Sequence, residues 1–90
     1  MFAHILRTSG PLIDEETRSK ILERFLQTPG LLHVFTLQGV DDANDTLTVA
    51  IWENRQAAEQ YIESSPLRRE VDEAAPGTTT RTLYEVLSGQ

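Results

Sequence analysis

The chain has 90 residues, 39% hydrophobic and 24% charged, the composition of one globular domain over 1–90 rather than of a disordered segment. Fourteen acidic against eight basic residues give a formal charge of −6, which argues against nucleic acid or anionic lipid as the main partner, since both demand concentrated positive charge. The absence of cysteine rules out disulfides and thiolate metal sites and fits a cytoplasmic setting; no apolar run approaches the roughly 18 residues of a membrane span, and the opening MFAHILRTSG shows no leader pattern.

In chain order, FAHILRT (2–8) reads as a strand that meets the turn signal SGP. A helix follows in IDEETRSKILERFLQ, with Asp14 as N-cap, acids in the first turn and an apolar stripe at 21, 22, 25 and 26. TPG at 28–30 stops it, because proline disfavours helical geometry in the residue before it and glycine frees the backbone. LLHVFTLQGV (31–40) is a second strand, DDAND a polar loop, and TLTVAIWE (46–53) a third strand, so 31–53 is a hairpin. Asn54 caps a second helix with apolar positions 57, 58, 61 and 62. SSP breaks it and starts another, with Ser65 as N-cap, Pro66 at the first position and Leu67 and Val71 inside. PG at 76–77 ends that helix, and TRTLYEVL is the fourth strand.

The order β-α-β-β-α-β is the split arrangement of ferredoxin-like α+β folds: a four-stranded antiparallel sheet with helices on one face. Alternation places Leu47, Val49 and Ile51 opposite Thr48, Ala50 and Trp52, and Leu31, His33, Phe35 and Leu37 opposite Leu32, Val34, Thr36 and Gln38. Phe2, His4 and Leu6 alternate with Ala3 and Ile5. Neither face is clearly polar, and the helices cover only one. At about 25 cal/mol per Å², hiding several hundred Å² of the other is worth on the order of 10 kcal/mol before the costs of association. A homodimer is expected.

TPGLLHVFTLQ, the hairpin, and VAIWENRQAAEQYIES resemble the antibiotic biosynthesis monooxygenase domains, the dimeric α+β barrels. The likeness covers nearly the whole chain in element order, and its sharp motifs are Pro29-Gly30, Trp52-Glu53 and Tyr61. The chain departs from the haem-degrading members, which carry an iron-binding histidine where Val71 stands and an asparagine on the first strand. It also departs from the polyketide quinone-forming members, whose asparagine four residues before the tryptophan is Thr48 here and whose aromatic six residues after it is Ala58.

The resemblance implies oxygenation without flavin, haem or metal, the electron-rich phenol or hydroquinone acting as its own reductant once it loses a proton. A phenol with a pKa near 10 costs about 4 kcal/mol to ionise at pH 7. A base and oxyanion donors in a water-excluding pocket must supply that. His4 and His33 are the candidate bases, and the residues do not choose between them. Thr48, Tyr61 and Arg68 or Arg69 are candidate donors, and Trp52, Phe35 and Phe2 candidate aromatic walls. Arg68 and Arg69 diverge by about 100° on a helix, so at most one points inward. No metal site is expected: DDAND matches a calcium loop at 42, 44, 46 and 53, but Leu47 stands where that loop needs glycine. The expected function is a cofactor-independent monooxygenase acting on a small aromatic in a pocket between sheet and helices around Trp52, with a non-catalytic small-molecule-binding or stress-response barrel as the competing reading.

Overall fold

A computed structural model describes residues 1–75 and 77–89. The elements are β1 (Phe2–Ser9), α1 (Glu15–Leu26), β2 (Leu31–Gln38), β3 (Asp45–Trp52), α2 (Arg55–Ser64), α3 (Pro66–Ala74) and β4 (Thr78–Glu85). The strands form one antiparallel sheet in the order β2-β3-β1-β4, so β1 and β3 are interior and β2 and β4 are edges. This is the ferredoxin-like α+β arrangement that the element order predicts.

Local chemistry sets the boundaries. The Asp14 carboxylate accepts from Thr17 N at 3.0 Å and Asn54 from Ala57 N at 2.9 Å, satisfying amides that each first turn leaves open. Ser65 does the same for Leu67 N, ahead of Pro66 at N1. After α1 the chain reverses at Gly30, with φ +84°. There Gly30 O accepts from Glu53 N, and a Cβ would lie 2.5 Å from Cβ of Ala57, so glycine is needed both for the backbone and for the closeness of α2. Strand β2 stops at Gln38, two residues before the expected end, because Gly39 N turns to Asp45 O and closes the hairpin. Strand β4 starts at Thr78, two residues before the expected start. Pro76, expected to end the third helix, lies outside the described residues.

The core lies between one sheet face and the three helices: Leu6, Ala50 and Trp52 from the sheet, Phe25, Ala58, Tyr61, Leu67 and Val71 from the helices. The α1 stripe is narrower than expected. Phe25 is buried and Ile21 and Leu22 half-buried, but Leu26 is 76% exposed, since it stands 100° beyond Phe25 and past the edge of the stripe.

Cross-strand rows define the two faces. Facing the helices are the rows Leu83–His4–Ala50–Val34 and Arg81–Leu6–Thr48–Thr36. Facing away are Tyr84–Ala3–Ile51–His33 and Thr82–Ile5–Val49–Phe35. One irregularity changes the expected allocation: Leu31 pairs with Trp52 but His33 with Ile51, a bulge between them. Strict alternation groups Leu31 with His33. The extra residue instead puts Leu31 in the Trp52 row and His33 on the other face.

Candidate functional site

His4 stands on an interior strand under the helices and is 3% exposed. Its Nε2 lies 2.9 Å from Arg81 Nη1. A guanidinium only donates, so Nε2 accepts and the imidazole proton is assigned to Nδ1. Burial pushes His4 down to about 4, with the charges of Arg81 and then Arg68 adding to the effect, so the ring is neutral at pH 7. Arg81 reaches this position because it shares parity with Leu83 on β4, and the edge strand turns that side inward. Its second nitrogen donates to Asp72 Oδ1, while the other carboxylate oxygen takes Arg68 Nη1 at 3.3 Å, one helical turn away on α3. Two guanidiniums thus share one carboxylate, leaving one surplus positive charge beside a neutral histidine.

One aromatic ring meets His4, and two more pack on that ring. Tyr61 meets His4 edge-on at 5.6 Å between centroids and is tilted against Trp52 and Phe25, both at 5.2 Å. Burial raises the Tyr61 hydroxyl to about 12 against the opposing pull of Arg81, so it stays a neutral donor at pH 7. Trp52 is fully buried, and its indole N–H has no hydrogen-bond partner. An orphaned buried donor costs about 1–3 kcal/mol, which a packing role alone does not require.

A cavity of about 30 Å³ adjoins this cluster between sheet and helices. Leu6, Thr36, Thr46 and Thr48 form its floor; Phe25 and Val71 lie on the side of the His4 cluster, and Arg18, Ile21 and the segment Pro11–Ile13 line the remainder. Phe25 both lines the cavity and packs on Tyr61, so its ring stands between the open space and the His4–Tyr61–Trp52 group.

Against the sequence expectations, the structure brings together His4, Tyr61, Trp52 and Arg68, with Phe2 in the Trp52 row and Thr48 one row beyond that of His4, on the cavity floor. The open space lies at Thr48, not around Trp52, because the Phe25 and Tyr61 rings fill the room against the indole. His33 and Phe35 are not part of this assembly. They stack on each other at 6.0 Å on the opposite face, where Phe35 is 51% exposed. Arg69 is exposed and Arg68 half-buried, as their divergence requires. Sequence reasoning passed over Asp72 and Arg81. The available signals were the i, i+4 spacing of Arg68 and Asp72 and the shared parity of Arg81 and Leu83, but an arginine on an edge strand ordinarily reads as solvated. Among the described residues, no group of three or more metal-ligating side chains converges, and no helix is long and apolar enough to cross a membrane.

No protein-family model matches the chain, and no curated protein matches it by sequence. Solved structures do match. A variant of SnoaB, a cofactor-independent oxygenase from Streptomyces nogalater, is 17% identical with a TM-score of 0.76, over 98% of this chain and 94% of that one. An antibiotic biosynthesis monooxygenase is 16% identical with a TM-score of 0.71, over 98% and 100%. The ActVA-Orf6 monooxygenase of Streptomyces coelicolor, in complex with nanaomycin D, is 17% identical with a TM-score of 0.68, over 99% and 89%. At such identities the likeness speaks to architecture, and this chain has the fold of the antibiotic biosynthesis monooxygenases.

Proposed function

We propose that the protein is a cofactor-independent monooxygenase of small phenols or hydroquinones, working as a cytoplasmic homodimer. The observation that carries this reading is the cluster in which half-buried Arg81 and Arg68 share Asp72 beside buried, neutral His4, next to Tyr61 and Trp52. A purely structural core gains little from two guanidiniums and one carboxylate at its edge, whereas an anion-forming reaction uses the surplus positive charge.

The chemistry follows from the geometry. A phenol that enters from the Thr48 side, with the cavity opened and the Phe25 ring displaced, brings its hydroxyl toward Arg81. As Arg81 turns from His4 Nε2 to the developing phenolate, His4 loses the neighbour whose charge depresses its basicity, and the phenol gains a cationic donor. Both changes favour proton transfer to Nε2. Tyr61 and Arg68 supply further donors, and Trp52 supplies an N–H with no competing partner. The phenolate then gives electrons to dioxygen. In the balanced reaction one oxygen atom enters the ring as the new quinone oxygen, the other leaves as water, and the substrate provides all four electrons.

The homodimer is supported by the outer sheet face. Ile5, Leu47, Val49 and Ile51 are half-buried there, and Phe35 and Tyr84 are 51% and 53% exposed, a contiguous apolar layer of the kind that monomers seldom leave in water. His33 and Phe35 sit in that layer, so in this reading they belong to the dimer contact.

Oxygen uptake with a panel of naphthols and hydroquinones tests the function. Turnover above buffer, at least hundredfold slower in His4→Ala and Tyr61→Phe, is the expected result; a panel that consumes no oxygen refutes it. The competing reading, a non-catalytic small-molecule-binding barrel, draws on the 30 Å³ of room and on the engagement of His4 Nε2 by Arg81. Tight binding of an aromatic with no oxygen uptake would decide for it.

A further inference from the structure

Of the eight basic side chains, six have a carboxylate partner: Arg7 with Asp45, Lys20 with Glu16, Arg24 with Glu70, Arg55 with Glu59, and Arg68 and Arg81 with Asp72. Among the described residues Arg18 and Arg69 have none within 4 Å. Arg69 is exposed, but Arg18 is half-buried and lines the cavity. In a chain with fourteen acids, a half-buried guanidinium that lines a cavity and has no carboxylate within 4 Å is suited to pair with an anion. Asp14, one turn before it, caps Thr17 N, and although the Arg18 charge helps to hold its carboxyl below the usual range, the two make no ion pair within 4 Å.

One Arg18 hydrogen bond is present: Nη1 donates to the Ile13 carbonyl at 3.1 Å. That carbonyl belongs to the segment Pro11–Ile13, which forms part of the cavity wall. Among the described residues, the backbone bonds nearest to this segment are Gly10 N to Asn44 O before it and Arg18 N to Asp14 O after it. The lining also holds the side chains of Leu6, Ile21 and Phe25 and the hydroxyls of Thr36 and Thr48, while the Thr46 hydroxyl donates to Thr8 O. A cation in a lining that is otherwise mostly apolar, with a phenylalanine ring and hydroxyls among it, suits a ligand that joins an acid group to a ring.

We infer that the cavity takes an aromatic carboxylate whose acid group binds Arg18 in place of the Ile13 carbonyl. The inference rests on the reading above that this cavity is the substrate site, and it names the substrate class. A space of about 30 Å³ holds about two water molecules, so admitting a ring requires Pro11–Ile13 to lift. The same exchange accomplishes this: a carboxylate offers the guanidinium a bidentate, charge-assisted partner in place of one neutral carbonyl, and the strap loses its tie to α1.

Titration calorimetry with 2-naphthoate and naphthalene-2-carboxamide tests it, since neither probe is an oxidisable phenol and binding is read without turnover. The naphthoate is expected to bind at least tenfold more tightly than the amide, and Arg18→Met to bring the two within threefold while amide affinity is kept. Arg18→Lys, which retains charge but not the fork, is expected to reduce the preference at least threefold and carries the test should Arg18→Met not fold. Equal affinities in the unaltered protein, a preference that survives both substitutions, or no binding by either probe overturns the inference. Oxygen uptake separates this outcome from the previous one: turnover of neutral phenols without acid preference removes the arene-carboxylate assignment alone, and acid-selective binding without uptake removes the oxygenase reading alone.

Discussion

Acidification should destabilise the protein through His4. The ring titrates at about 4 in the folded chain against 6.5 for a free histidine, because it is buried and faces Arg81 and Arg68. At about 1.4 kcal/mol per tenfold change in proton affinity, that difference corresponds to at most about 3–4 kcal/mol, reduced by whatever solvent reaches the ring. The sign follows from proton counting. Above pH 6.5 neither state binds the proton, so His4 contributes no pH dependence there. Between 6.5 and 4 the unfolded chain binds it and the folded chain does not, so stability falls with pH. Below 4 both states are protonated and the full loss persists. Urea unfolding at half-unit steps from pH 7.5 to 4, run in parallel on the unaltered protein and on His4→Gln, isolates the effect. Glutamine still accepts from Arg81 but cannot take a proton, and the carboxylates common to both proteins cancel in the difference. The two stability curves should converge by about 2–3 kcal/mol as pH falls. Parallel curves would refute the placement of a neutral His4 against Arg81. As a second readout, Arg81→Met should raise the His4 midpoint measured by proton NMR, His33 being replaced by asparagine for assignment.

Other substitutions probe the packing and the outer face. Trp52→Ala should cost about 3–5 kcal/mol as a large buried cavity, and Trp52→Phe under about 2 kcal/mol because it also removes the orphaned N–H; urea midpoints measure both. Gly30→Ala should cost about 2 kcal/mol or more, combining a left-handed backbone with a Cβ 2.5 Å from that of Ala57, and should lower the melting temperature by several degrees. Phe35→Asp should convert the proposed dimer to a species near 10.1 kDa by light scattering with the far-ultraviolet dichroism unchanged; an unaltered protein of that same mass would remove the dimer proposal.

Sequence by itself determined the elements and their order. The caps Asp14, Asn54 and Ser65, the proline at 66 and the glycine at 30 act through bonds and torsions within a few residues, so their effect is written locally. Alternation also sorted each strand into two sets, but both sets were apolar, and nothing within a strand says which one the helices cover. That choice depends on partners far along the chain, and it separates His4 beneath Tyr61 from His33 in the outer layer. The bulge after Leu31 is likewise a property of two strands in register and has no local mark. The polar cluster joins residues 4, 68, 72 and 81, and the cavity lining joins Arg18 with Thr48. Only the closed sheet and its helices bring such distant side chains within reach, because hydrogen bonds and burial act over a few ångströms and not along the chain.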